Sequence, residues 1–181
     1  DEPLFLDKLL EQIRTTGMNA EDRAIAEHIL WNLDGDGYLS IPLENIARHT
    51  GSTPDTVERV LKIIQRMEPV GIGSRDLREC LLVQLEDRGE ADFVIDMIRH
   101  HFTDFANHRF ENILRAMNIS EDQLQYARNT IKTLNPKPGN TDNVFSNHYV
   151  VPDLIVTEEA GEFIITLNDG NVPELRLNRG Y

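Results

Sequence analysis

Cysteine, basic residues, long apolar runs and catalytic spacing are all scarce in this 181-residue chain. A lone cysteine, Cys80, excludes an internal disulfide and a thiolate zinc site, and fits a reducing cytosol. Set among Leu77, Leu81 and Leu82, it reads as a small buried residue. No run approaches the ~18 apolar residues of a membrane span, and no signal-peptide pattern leads the sequence. The expected setting is therefore cytoplasmic, without a membrane partner. Lys and Arg number 18 against 31 Asp and Glu, for a formal charge of −13. Nucleic-acid affinity rests on Lys and Arg displacing counterions from phosphate, so the chain alone should bind DNA poorly and suits a basic protein partner better. Six histidines give no metal pattern: His100 and His101 are adjacent and diverge by about 100° on a helix, and no HExxH occurs. Ser74, Ser120 and Cys80 lack the local context of an activated nucleophile. The expectation is a protein that is not an enzyme and holds no cofactor or metal.

Helical periodicity fills the first two-thirds. Leu4, Leu6, Leu9, Leu10 and Ile13 share a face that stops near Gly17, and Asn19 is placed to cap a second helix lined by Ala24, Ile25, His28, Ile29 and Leu33. Helices near 42–49, 54–67 and 75–88 follow, then one carrying Phe93 to Phe105 after Gly89 and a shorter one with Phe110, Ile113, Leu114 and Met117. Ser120 and Gln123 spell a capping box, with Ile119 and Leu124 as its staple. That helix runs to about Leu134, where Asn135-Pro136-Lys137-Pro138-Gly139 enforces an extended segment. The pattern then changes. Residues 139–149 read as a loop, Leu154–Thr157 and Phe163–Leu167 as strands around a Glu158-Glu159-Ala160-Gly161 turn, and Leu175 and Leu177 as part of a third strand with no closing element before Tyr181.

Three local patterns imitate ligand sites and fail on detail. Asn32, Asp34, Asp36 and Gly37 match the opening of a calcium loop, but its twelfth position falls on Leu43, with Glu44 one residue late and Pro42 intruding. An interhelical turn is the better reading, with Gly37 taking an angle other residues avoid and Tyr38 and Leu39 packing inward. Residues 43–64 carry a helix-turn-helix pattern, with Ala47 at the crossing, Gly51 at the turn, Thr53 as cap and Pro54 opening the second helix. Asp55 and Glu58 would face a DNA groove where base readers present Arg, Lys, Asn or Gln. Gly71-Ile72-Gly73 before a helix suggests a phosphate cradle. Arg75-Asp76 replaces the Lys-Ser/Thr of a Walker loop, though, and a helix rather than a strand precedes it.

What remains at residues 61–85 is an elbow. Pro69 blocks continuation of the incoming helix, Gly71 and Gly73 permit unusual backbone angles, and Ser74 is placed to cap the outgoing helix. The run Glu68-Pro69-Val70-Gly71-Ile72-Gly73-Ser74-Arg75-Asp76-Leu77-Arg78-Glu79-Cys80-Leu81 resembles the core-binding region of the sigma-54 (RpoN-type) bacterial sigma factors. Leu33-Asp34-Gly35-Asp36-Gly37-Tyr38-Leu39 resembles that family's interhelical turn, and Leu134-Asn135-Pro136-Lys137-Pro138-Gly139 its exit from the helical part. Val151-Pro152-Asp153-Leu154 and Pro173-Glu174-Leu175-Arg176 resemble the segment that follows. Ser74 stands where the family more often has Ala.

The resemblance implies a mainly α module that binds core RNA polymerase, within a factor that engages promoter DNA and an AAA+ activator through other regions. The expected organisation is a helical subdomain over 1–68 with the helix-turn-helix-like pair, a second over 69–136, and an extended, incomplete β segment over 137–181. The elbow residues Glu68, Pro69, Gly71, Gly73 and Ser74 would set the angle between the bundles, and Arg75, Arg78 and Glu79 would be the charged polymerase contacts. The alternative is a DNA-binding regulator that uses residues 43–64.

Overall fold

The helix starts follow from where side chains can satisfy the orphan N–H groups of a first turn. The structure, a computed structural model, describes residues 5–140 and, farther along, 154–159 and 162–167. Helix α1 (Phe5–Thr15) runs to a turn at Gly17, whose φ is +70°. Helix α2 (Ala20–Trp31) is capped by Asn19, which accepts from the Asp22 N–H at 2.7 Å. Helix α3 (Leu43–Thr50) ends on Gly51 in the left-handed region, and α4 (Pro54–Ile64) starts on the Thr53 cap with Pro54 in its first turn. Helices α5 (Leu77–Asp87), α6 (Asp92–Ala106, kinked at His101), α7 (Phe110–Met117) and α8 (Glu121–Lys132) complete the helical part. Both halves of the Ser120–Gln123 capping box form at α8.

The fold is mainly α. Leu9, Ile13, Ile25, Ile29, Ile46, Val57, Val60, Leu61 and Ile64 close one core with α1 to α4 around it, and Ile72 of the elbow joins it. Leu81, Leu85, Val94, Met97, Ile98, Ile113 and Leu124 close a second core among α5 to α8. The strands β1 (Leu154–Glu159) and β2 (Glu162–Leu167) pair antiparallel, with Leu154 opposite Leu167 and Glu159 opposite Glu162. They belong to a separate unit from the helices. Among the described residues no helix is long and apolar enough to cross a membrane.

Several expectations need correction. The buried side of α2 carries Asp22, Ile25, Ala26, Ile29 and Leu30, while Ala24 is exposed and His28 half-buried. The stripe is rotated toward Ala26 and Leu30, and Asp22, at its N-terminal end, is paired with Arg59 of α4 at 2.6 Å. Helix α4 stops at Ile64 rather than 67: Gln65 is its C-cap, and Arg66 and Met67 make turn bonds to Ile63 and Ile64 ahead of Pro69. Glu158 and Glu159 belong to β1, not to the turn. Ala160, Gly161, the loop at 141–149 and the third strand around Leu175 and Leu177 lie outside the described residues.

Candidate functional site

Three of the segments singled out in the sequence, the 33–39 turn, the elbow and the 134–139 exit, meet at the junction of the two cores. In the elbow, Gly71 and Gly73 adopt φ of +93° and +77°. A Cβ on Gly71 would lie 2.8 Å from the Cys80 sulfur, so the site requires glycine for space as well as for angle. The elbow is stitched to the Asp34–Leu39 turn in both directions. Gly73 N–H donates to Gly37 C=O at 2.8 Å, and Leu39 N–H donates to Ser74 C=O at 3.0 Å.

Ser74 does not cap α5, contrary to expectation. It is fully buried and its hydroxyl donates to the Gly71 carbonyl at 2.8 Å, tightening the elbow itself. The cap is Asp76, whose carboxylate accepts from the Glu79 N–H at 2.8 Å. Asp lies at the N-terminal end of the helix dipole, where its charge is favoured.

The Asp34–Tyr38 turn is closed by its own backbone and by one carboxylate. Asp34 Oδ1 accepts from the N–H groups of Asp36 and Tyr38 at 3.0 and 2.9 Å. That carboxylate holds the turn, and no cluster of three or more His, Cys, Asp or Glu that could hold a metal ion occurs among the described residues. Leu39 is buried as expected, and Tyr38 is half-buried. Burial, with Cys80 beside it, pushes the Tyr38 hydroxyl well above its usual range, so it stays protonated and donates to the Pro136 carbonyl. Burial likewise raises the Cys80 thiol.

The exit segment lies across this turn at backbone contact. Gly139 N–H donates to Asp36 C=O at 2.8 Å, and Lys137 pairs with Asp36 at 3.0 Å. Glycines occupy both sides of the crossing: a Cβ on Gly37 would lie 2.6 Å from Ile72 Cδ1, and one on Gly139 would lie 2.6 Å from Gly37 Cα.

Two glutamines hold the chain ahead of the two prolines in the same way. Gln84 of α5 donates to the Asn135 carbonyl at 2.7 Å and accepts from the Asn135 N–H at 2.8 Å. Gln12 of α1 donates to the Glu68 carbonyl at 2.7 Å and accepts from the Glu68 N–H at 3.0 Å. A residue before proline is biased to extended geometry, where its N–H and C=O project the same way, and a carboxamide then pairs with both as a neighbouring strand would. Pro69 and Pro136 lack an N–H of their own, and these bonds pair the backbone groups of the residue just before each.

The three charged candidates fare differently. Arg75 forms a two-point pair with Glu79, with contacts of 2.6 and 3.1 Å, and lies 3.6 Å from Glu58 of α4. Burial acts to raise the Glu79 carboxyl, but hydrogen bonds from the Arg75 side chain and backbone outweigh it and hold the group below the usual carboxylate range. Arg75 and Glu79 thus tie α4 to the start of α5. Arg78 is exposed and its guanidinium donates to the Arg99 carbonyl of α6.

In the helix-turn-helix-like pair, Arg59 is engaged by Asp22 through bonds of 2.6 and 3.0 Å. The surface also has features that sequence periodicity did not single out. Trp31 is 67% exposed on a helix whose apolar stripe points elsewhere, and Leu77, 40% exposed, stands at the open end of the α5 stripe of Cys80, Leu81, Gln84 and Leu85. The Gln12 and Gln84 clamps carried no sequence signal beyond a polar residue on an otherwise apolar helix face.

A family model described as Sigma-54 factor, core binding domain, matches residues 1–181. An RNA polymerase sigma-54 factor of Escherichia coli is 37% identical over 97% of this chain and 38% of its own length. One from Pseudomonas putida is 35% identical over 96% of this chain and 36% of its own length. The chain thus spans under two-fifths of the curated relatives it matches. A crystal structure of Aquifex aeolicus sigmaN bound to promoter DNA aligns with a TM-score of 0.55 at 23% identity, covering 96% of this chain and 49% of that one. At that identity the likeness concerns the fold alone.

Proposed function

The chain belongs to the sigma-54 factor family, in its core binding domain, and on that premise we propose that it docks core RNA polymerase as two helical subdomains held at a preset angle. The observation that carries the reading is the junction, where the turn, the elbow and the exit meet in one hydrogen-bonded contact. A rigid joint removes the ordering cost of aligning two surfaces at the moment of binding. Subdomains 1–68 and 69–136 supply the two surfaces, and 137–181 leads onward. Of the charged candidates, Arg78 is retained as a polymerase contact, while Arg75 and Glu79 are assigned to the joint. In the whole protein this docking would recruit polymerase to promoters that need an ATP-hydrolysing activator, with promoter DNA and an AAA+ activator as further partners.

Base reading by residues 43–64 is less favoured. Arg59 is spent on Asp22, Lys62 lies 3.9 Å from Glu58, and the chain's net charge opposes DNA. The test is retention of the chain by purified core polymerase. Binding at low-micromolar concentration is expected, and its absence would overturn the reading. A salt-dependent shift of promoter DNA by the chain alone would favour the alternative.

A further inference from the structure

Beside the junction, two surface grooves share Leu77 and Pro136 as a common rim. One, of about 320 Å³, is mainly apolar, floored by Leu81, Phe102, Phe105 and Ile131 of the second bundle, with Lys132 the one charged residue of its lining. The other, of about 450 Å³, is polar and lies against Asp34, Asp36 and Asp76. Its two cations are matched: Lys137 pairs with Asp36, and Arg75 with Glu79 and Glu58. Asp34 and Asp76 have no salt bridge among the described residues, so this half keeps an anionic excess. Leu77 stands between the halves, 40% exposed at the first position of α5.

We infer that this composite groove takes a protein segment with bulky apolar side chains at one end and a Lys or Arg at the other. Resting on the function proposed above, the segment belongs to core polymerase. Charge complementarity selects the cationic end and argues against phosphate. The apolar half offers a pocket for the kind of anchor side chain that dominates interface energetics. Because the groove is walled by the turn of the first bundle and by α5, α6 and α8 of the second, its occupant would contact both bundles at their joint.

Two measurements on the 181-residue chain test this. Leu77→Arg should weaken binding to core polymerase at least tenfold, while Gln125→Arg on exposed α8 surface changes it less than twofold. A photo-crosslinking residue at position 77 should capture a polymerase peptide that carries Lys or Arg beside apolar residues. If the unaltered chain binds polymerase but Leu77→Arg binds equally well, the groove assignment falls and the docking reading stands. A crosslink to promoter DNA, or to residues 141–181 of the same chain, likewise overturns it. If the unaltered chain does not bind polymerase, the docking reading falls and this assignment with it.

Discussion

At the residue scale the junction depends on glycines that face backbone. Gly37 has a φ of +89° and would press a Cβ against Ile72 and Gly139, whereas Gly35, two positions earlier in the same turn, faces nothing within 4 Å. The left-handed angle alone costs a β-carbon about 1–2 kcal/mol, and the backbone contact adds to that. Gly37→Ala should therefore lose at least about 2 kcal/mol of stability in urea unfolding, against about 0.5 kcal/mol or less for Gly35→Ala. Equal losses would refute the crossing. Asp22 gives a second residue-scale prediction. The hydrogen bonds from Arg59 hold its carboxyl below the ordinary value of 3.8 despite burial. A group with a depressed folded pKa contributes stability above its unfolded value, and loses it as pH falls through the folded one. Asp22→Asn should thus be less stable than the parent at pH 7, with the gap closing below about pH 4. A gap that persists unchanged in acid would place the loss elsewhere than in this pair.

At the element scale, helix existence was legible and the joints were not. Caps at Asn19, Thr53 and Ser120 were readable because each sits one residue before an amphipathic run and its partner N–H lies three residues on. The start of α5 misled because Ser74 and Asp76 are both good caps two residues apart, and only burial in the elbow decides between them. Asp76→Ala should cost about 1 kcal/mol in thermal or urea unfolding, as the loss of an N-cap does. Ser74→Ala should cost less than Asp76→Ala. The Gly71 carbonyl also accepts from the Ser74 N–H at 3.3 Å, so loss of the hydroxyl leaves it paired. The reverse order would return the cap to Ser74. The Gln84 clamp is also an element-scale device, since it fixes the exit segment to α5. Gln84→Leu strands the Asn135 N–H and leaves its carbonyl the weaker Cys80 thiol donor at 3.7 Å, and should lower stability by about 1–3 kcal/mol, read from the same unfolding curves.

For the whole molecule, three of the sequence segments that carried the family resemblance turned out to be spatial neighbours. The 33–39 turn, the elbow and the 134–139 exit are dispersed over about a hundred positions, yet Gly37 touches both Gly73 and Gly139. Periodicity could not reveal this, because it reports which face of an element is apolar and says nothing about where loops cross. The resemblance located the segments, and their backbone contacts are the ones that the proposed joint between the bundles needs. The account therefore rests on docking through a rigid joint, and the most direct test is the affinity of the chain for purified core RNA polymerase, measured for the parent and for Gly71→Val and Gly73→Val. The account predicts low-micromolar or tighter binding by the parent and at least tenfold weaker binding by both variants at unchanged helix content. Parent-like affinity in both variants, or no binding by the parent, would contradict it.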